Sequence, residues 1–177
     1  MANGGGQPIA RYYYDPFGRR LWKILEAGAE GHSGTAGPET VYLAYSDEGY
    51  AAEFRTSGTP STAPNQGPTN FTMVWIHAPD GAWSTHPIAI RIQQAWRYPQ
   101  ANHIATAQQV IDGAGATTTA IRMNAFGETS SQGQSIPNRF PGQHHDPETA
   151  LTYNYFRTYD SRSGRYTQTD PIGLGNL

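Results

Sequence analysis

The chain has 177 residues, a net charge of -2 and a single lysine, Lys23, so it offers no basic patch of the kind that neutralises nucleic-acid phosphates. It contains no cysteine, which excludes disulfides and thiolate metal sites. Gly 20, Pro 13, Tyr 11, Phe 6 and Trp 4 are spread along the sequence and point to short extended segments joined by turns, an all-β composition.

The first residues, MANGGGQPIARYYY, lack a basic start, an apolar stretch and a small-residue cleavage site, and do not read as a secretory signal. No apolar run approaches the roughly 20 residues that a membrane-spanning helix needs. Residues 12–23, YYYDPFGRRLWK, read as aromatic strand, turn and strand. Asp15 opens the turn as a hydrogen-bond acceptor, Pro16 fixes φ, and Gly18 tolerates positive φ. The same grammar returns at APDGAW (78–83), IDGAG (111–115), HDPETA (145–150) and YDSRSGRY (159–166), the last turning through Asp160 and Gly164. Between the turns, TVYLAY (40–45), FTMVWI (71–76) and TTTAIRM (117–123) are strand patterns. Residues 104–111, IATAQQVI, are short, uncapped and abut an Asp-Gly turn, so they too are expected to be strand. Residues 27–39 and 57–70 break the pattern and read as loop insertions in a single unit spanning residues 1–177.

No metal, cofactor or nucleotide site emerges. His144 and His145 are adjacent in an extended segment and point to opposite faces, while His32, His77, His86 and His103 lack ligand spacing. Ser130, Ser131 and Ser135 have no G-x-S-x-G context.

From residue 138 onward, RFPGQ with Arg139 and Gly142, then DPETALTYNYFRTYD, then DPIGL with Asp170, Pro171, Gly173 and Leu174, follow one another in an order that resembles the C-terminal part of the Rhs/YD-repeat core. That core is the β-shell around toxin domains of bacterial polymorphic toxins and of Tc toxin C subunits. YYYDPFGRRLWK is similar to a YD repeat. Residues 102–128 are similar to the family's run from Asp-His-Leu-Gly-Thr-Pro to Ala-Phe-Gly-Glu, except that Asn102, Ala105 and Ala107 replace Asp, Gly and Pro and leave the turn there in question.

The resemblance implies successive antiparallel hairpins in a curved, twisted sheet. It also implies an aspartyl self-cleavage site made of an arginine and two aspartates, with Arg157 matching the arginine and Asp170 the first aspartate. Paired carboxylates let one keep a proton as acid while the other serves as base. The family's second Asp motif has no counterpart before Leu177, so an incomplete site is expected, Leu174 is not the scissile position, and the chain is not expected to be an enzyme. If Tyr159 pairs with Tyr166, Arg157 lies diagonal to Asp170 on one sheet face; the pair then holds the sheet, or Arg157 stacks on Tyr155 or Tyr159. The implied function is a structural shell segment that encloses or presents an effector, with the remaining shell, a toxin domain or another copy as partner. Trp22 and Trp83 are candidate carbohydrate contacts. The compartment stays open: cytoplasmic before export, or secreted within a larger assembly.

Overall fold

The computed structural model describes residues 6–34, 36–60, 71–133, 135–170 and 173, and these contain strands and turns but no helix. The strands are β1 (Ala10–Tyr14), β2 (Arg20–Leu25), β3 (Glu39–Ser46), β4 (Gly49–Ser57), β5 (Met73–His77), β6 (Pro87–Ile92) and β7 (Ala95–Ala101). They continue as β8 (Ala107–Ile111), β9 (Thr117–Met123), β10 (Thr129–Gly133), β11 (His144–Asp146), β12 (Leu151–Asn154), β13 (Arg157–Asp160) and β14 (Arg165–Tyr166). Strands β1 to β10 form one ten-stranded antiparallel sheet in strict sequence order, and β11 to β14 form a four-stranded sheet in the same manner. The first expected loop insertion ends one residue early, since Glu39 already opens β3, and the second begins one residue late, since Ser57 still belongs to β4; residues 61–70 of it lie outside the described residues.

One local device turns four of these hairpins. At residues 15–19, 102–106, 112–116 and 124–128, an Asp or Asn side chain accepts the backbone N–H groups two and four residues later, at 2.8 to 3.1 Å. The backbone N–H of the fourth residue donates to the carbonyl of the first. The fourth residue is left-handed, with φ of 83° at Gly18, 83° at Gly115 and 85° at Gly127. This is a type I turn followed by one αL residue, the usual three-residue hairpin loop, and only the Asx acceptor and the αL position demand particular residues.

The turn left in question at residues 102–106 is formed. Asn102 supplies the same carbonyl oxygen that Asp would, and Ala105 is driven to φ 60°. It also takes up the start of the stretch expected to be strand, so β8 begins only at Ala107.

Cross-strand register sorts the side chains of the large sheet. Tyr13, Trp22, Tyr42 and Phe54 lie opposite one another across β1 to β4. Their rings form a ladder with centroids 5.0, 6.3 and 5.8 Å apart. Leu43, Tyr50, Trp75, Ile90, Ile92, Val110 and Ile121 make the apolar core, closed by Ile136 after β10. A smaller cluster joins Ala10, Leu25 and Val41. None of the residues in these two clusters belongs to β11 to β14.

Candidate functional site

The pair anticipated from the sequence does meet. Tyr159 is opposite Tyr166, and Arg157 Nη1 lies 3.0 Å from Asp170 Oδ2, with the two side chains 30% and 47% exposed. The guanidinium stacks 3.8 Å from the centroid of Tyr166, rather than on Tyr155 or Tyr159 as expected, because the direct cross-strand partner of Tyr159 brings its ring under Arg157. A pocket of about 280 Å³ opens beside it, lined by Tyr14, Gly18, Tyr155, Phe156 and Gln168 among others. The backbone N–H of Gly173 donates to Asp170 O. Pro171 and Leu174, the other residues singled out in DPIGL, lie outside the described residues.

The remaining motif residues serve the backbone. Asp15 accepts from Phe17, Arg19 and the Arg19 side chain. Asp160 accepts from the backbone N–H of Arg162 and the Ser163 hydroxyl, and Gly164 is left-handed at φ 67°. Arg139 is half-buried and donates to the carbonyls of Ile136 and Asn138, with burial lowering its pKa to about 10. Gly142, at φ 76°, ends that turn and donates its N–H to Ser84 O on the large sheet. Trp22 stacks on Tyr13, its cross-strand partner, and Trp83, in the β5–β6 connection, stacks on Tyr45, each half-buried.

The densest chemistry sits elsewhere, between the two sheets. Arg20 Nη1 grips both oxygens of Asp146 at 2.7 and 2.8 Å. Lys23 Nζ is 3.0 Å from Asp146 Oδ1 and 2.9 and 3.0 Å from the two oxygens of Glu148. Tyr12 donates its hydroxyl to Glu148 at 2.9 Å. All four charged side chains are buried, and their charges sum to zero. Tyr153 accepts the N–H of Arg20 and donates to Gly18 O, and Tyr45 donates to Arg20 O. The Arg20 guanidinium lies 4.5 Å from the Tyr12 ring centroid and 4.2 Å from that of Tyr153.

A β-bulge makes this possible. Residues three apart on a regular strand face opposite ways, yet the register slips between Tyr13 and Tyr14, so that Tyr12 pairs with Lys23 and Tyr14 with Arg20. Leu21 is the extra residue, and both cations end on one face. On the second sheet, alternation along β11 turns His144 and Asp146 inward and His145 outward. Asp146 ends β11, and its carbonyl accepts the Thr149 N–H, so it also opens the turn that HDPETA suggested. Burial alone would raise the pKa of Asp146, but Arg20 and then Lys23 outweigh it and hold the carboxyl well below the usual carboxylate range. Burial works against charge on Lys23 as well, and Asp146 and Glu148 reverse it to a net rise.

His144 stands beside this knot, buried edge-on against Tyr50 with ring centroids 4.7 Å apart. Burial pushes its pKa well below the ordinary histidine value, with Lys23 and Arg20 adding to the effect and Asp146 opposing it. Among the described residues no group of three His, Asp or Glu is arranged to hold a metal ion. Sequence reading missed the knot because its halves lie more than 120 residues apart. The available signal was a lone lysine inside RLWKIL, an apolar strand where an unpaired cation would be expensive.

No family model matches the chain. It is 28% identical over 188 residues to double-stranded DNA deaminase toxin A of Burkholderia cenocepacia, covering 93% of this chain and 12% of that protein. It is 27% identical over 173 residues to the probable deoxyribonuclease RhsB of Dickeya dadantii, covering 92% of this chain and 10% of that protein. The chain therefore spans about a tenth of the length of these relatives. Its fold is that of the TcdB2-TccC3-TEV crystal structure, with a TM-score of 0.62 over 99% of this chain and 9% of the other, at 18% identity. The relatives, the hairpin order and the RFPGQ to DPIGL motifs agree on one likeness: the chain is similar to the core-associated region of Rhs-family proteins.

Proposed function

We propose that the chain is a wall segment of a shell that encloses or presents a toxin domain, and that Arg157 and Asp170 tie its last hairpin instead of cutting the chain. The observation that carries this reading is the strict nearest-neighbour order of β1 to β10, in which, among the described strands, β1 and β10 each have a strand neighbour on one side. The outer edges of such strands are built to be continued by further strands, and left open they promote association. The half-exposed aromatic ladder from Tyr13 to Phe54 runs to the β1 edge and would be continued by the neighbouring wall. The relatives are named a deaminase toxin and a deoxyribonuclease, which supports a cargo that acts on DNA. For Arg157 and Asp170, solvent exposure and the stack on Tyr166 favour a surface tie, since an acid–base carboxylate is tuned by burial or by a second carboxylate.

Light scattering across a concentration series, with intact-mass measurement of the same sample, tests both parts. The expected result is concentration-dependent association and a single uncleaved mass, identical in Asp170→Asn. A monodisperse monomer at high concentration refutes the open-wall reading. A cleaved product that disappears in Asp170→Asn refutes the structural role of the pair.

A further inference from the structure

The two sheets are fastened by different means from those that hold each sheet together. The apolar clusters lie in the large sheet and the segment just after it. The small sheet is joined to it by the four-charge knot, by Trp75 Nε1 donating to Asn138 at 2.7 Å, by Tyr159 donating to Phe126 O, and by Gly142 N–H donating to Ser84 O. Rings complete the seam: Phe156 lies on Gly18, and Phe126 on Gly164, close enough that an added Cβ would meet them at 2.8 Å. Hydrogen bonds and ion pairs of this kind release together once the charge balance at their centre is lost, whereas a shared apolar core would not respond to charge.

We infer that β11 to β14 form a separately opening unit that acid releases from the ten-stranded sheet, with His144 as the proton acceptor and the Arg20–Lys23–Asp146–Glu148 knot as the bolt. His144 feels the charges of Arg20 and Lys23 from β2, and Tyr45 from β3 lines the same cavity. From β4 and β5 it meets Tyr50, which donates to Glu53, and His77. Its own sheet adds Asp146, Tyr153 and the neighbouring His145, with Arg139 beyond His145. A proton on His144 puts a third cation against Arg20 and Lys23, with only Asp146 and Glu148 to balance them. The closed form keeps His144 neutral, and the open form takes up a proton near the ordinary histidine value. The open form therefore binds more protons below about pH 6.5, and acid favours it.

The absence of native cysteine allows a clean test. Gln108→Cys on β8 and Arg165→Cys on β14 place a fluorophore pair on exposed positions of the two sheets of the full chain. On lowering the pH from about 7.5 to about 4.5, energy transfer should fall reversibly while the far-ultraviolet strand signal persists. In His144→Gln the half-change should move at least about half a pH unit lower. Asp146→Asn, which leaves Lys23 and Arg20 undercompensated, should show low transfer already at neutral pH. Constant transfer throughout, simultaneous loss of both signals, an unmoved half-change in His144→Gln, or a closed Asp146→Asn each overturns the inference.

Discussion

Ala105 holds a position that glycine fills in the three sister turns, and replacing it with glycine should stabilise the protein. Its φ of 60° is left-handed, as are those of Gly18, Gly115 and Gly127. A Cβ in that region costs about 1 to 2 kcal/mol. Glycine removes this cost, yet it makes the unfolded chain more flexible and returns roughly 0.5 to 1 kcal/mol of the benefit. The net gain for Ala105→Gly is then about 0.5 to 1 kcal/mol, a rise in Tm of about 1 to 4 °C for a domain of this size. Paired controls lie in the next turn. Gly115 has φ 83° with open space around its missing Cβ, so Gly115→Ala isolates backbone strain and should lose about 1 kcal/mol or slightly less. Gly113, equally open but without positive φ, should accept alanine neutrally or with a gain of up to about 1 kcal/mol. Urea and thermal unfolding of the three variants give the comparison. An Ala105→Gly protein no more stable than its parent, beside a Gly115→Ala protein that loses stability, would show that the αL strain at residue 105 is absent and that the turn argument fails there.

Lys23→Ala should lower stability by about 3 to 5 kcal/mol in urea unfolding, because it leaves Glu148 buried without its cation. Lys23→Met combined with Glu148→Gln should recover much of that loss, and an equal loss in both proteins would mean that packing, not charge, dominates at the knot. Stability should also fall as the pH drops through the histidine range. Burial, with Arg139 beside it, pushes His145 down to about 4. The unfolded chain takes up this proton near pH 6.5 and the folded chain only near 4, so the stabilisation is complete above about pH 6.5 and declines towards pH 4. Urea midpoints measured across that window should decrease, and should decrease less in His145→Gln.

The parts of this molecule readable from its sequence are those whose physics is local. Four of the hairpins are announced by an Asx acceptor and an αL residue within five positions, and the pairing of Tyr159 with Tyr166 follows from the turn between them. Arg157 and Asp170 were therefore legible as neighbours, although the ring beneath Arg157 was misassigned. At residue 102 the chemistry of the side chain mattered and its identity did not: Asn presents the same acceptor as Asp. What stayed hidden depends on a register slip. Without the bulge opposite Tyr14, alternation sets Arg20 and Lys23 on opposite faces, and no local pattern brings both to Asp146. The half-burial of Trp22 and Trp83 was hidden for a related reason, since it depends on which rings the neighbouring strands bring alongside.

Because each of β1 to β10 pairs, in order, with the strands before and after it, the large sheet taken by itself behaves thermodynamically as a one-dimensional array. Its stability is a sum of hairpin terms and nearest-neighbour couplings, and defects stay local. Loss of one turn weakens the coupling between the two strands that it joins and spares the rest, so unfolding should fray inward from the end of the array. Contacts between sequence neighbours also keep loop-closure entropy low, which lets a long wall fold progressively as it is synthesised. A hairpin that makes no contact outside its neighbours can be duplicated or deleted without redesigning anything beyond the next strand, which leaves the length of such a sheet easy to vary. The small sheet does not share that freedom, since its attachment requires residues far apart in sequence to agree on one geometry.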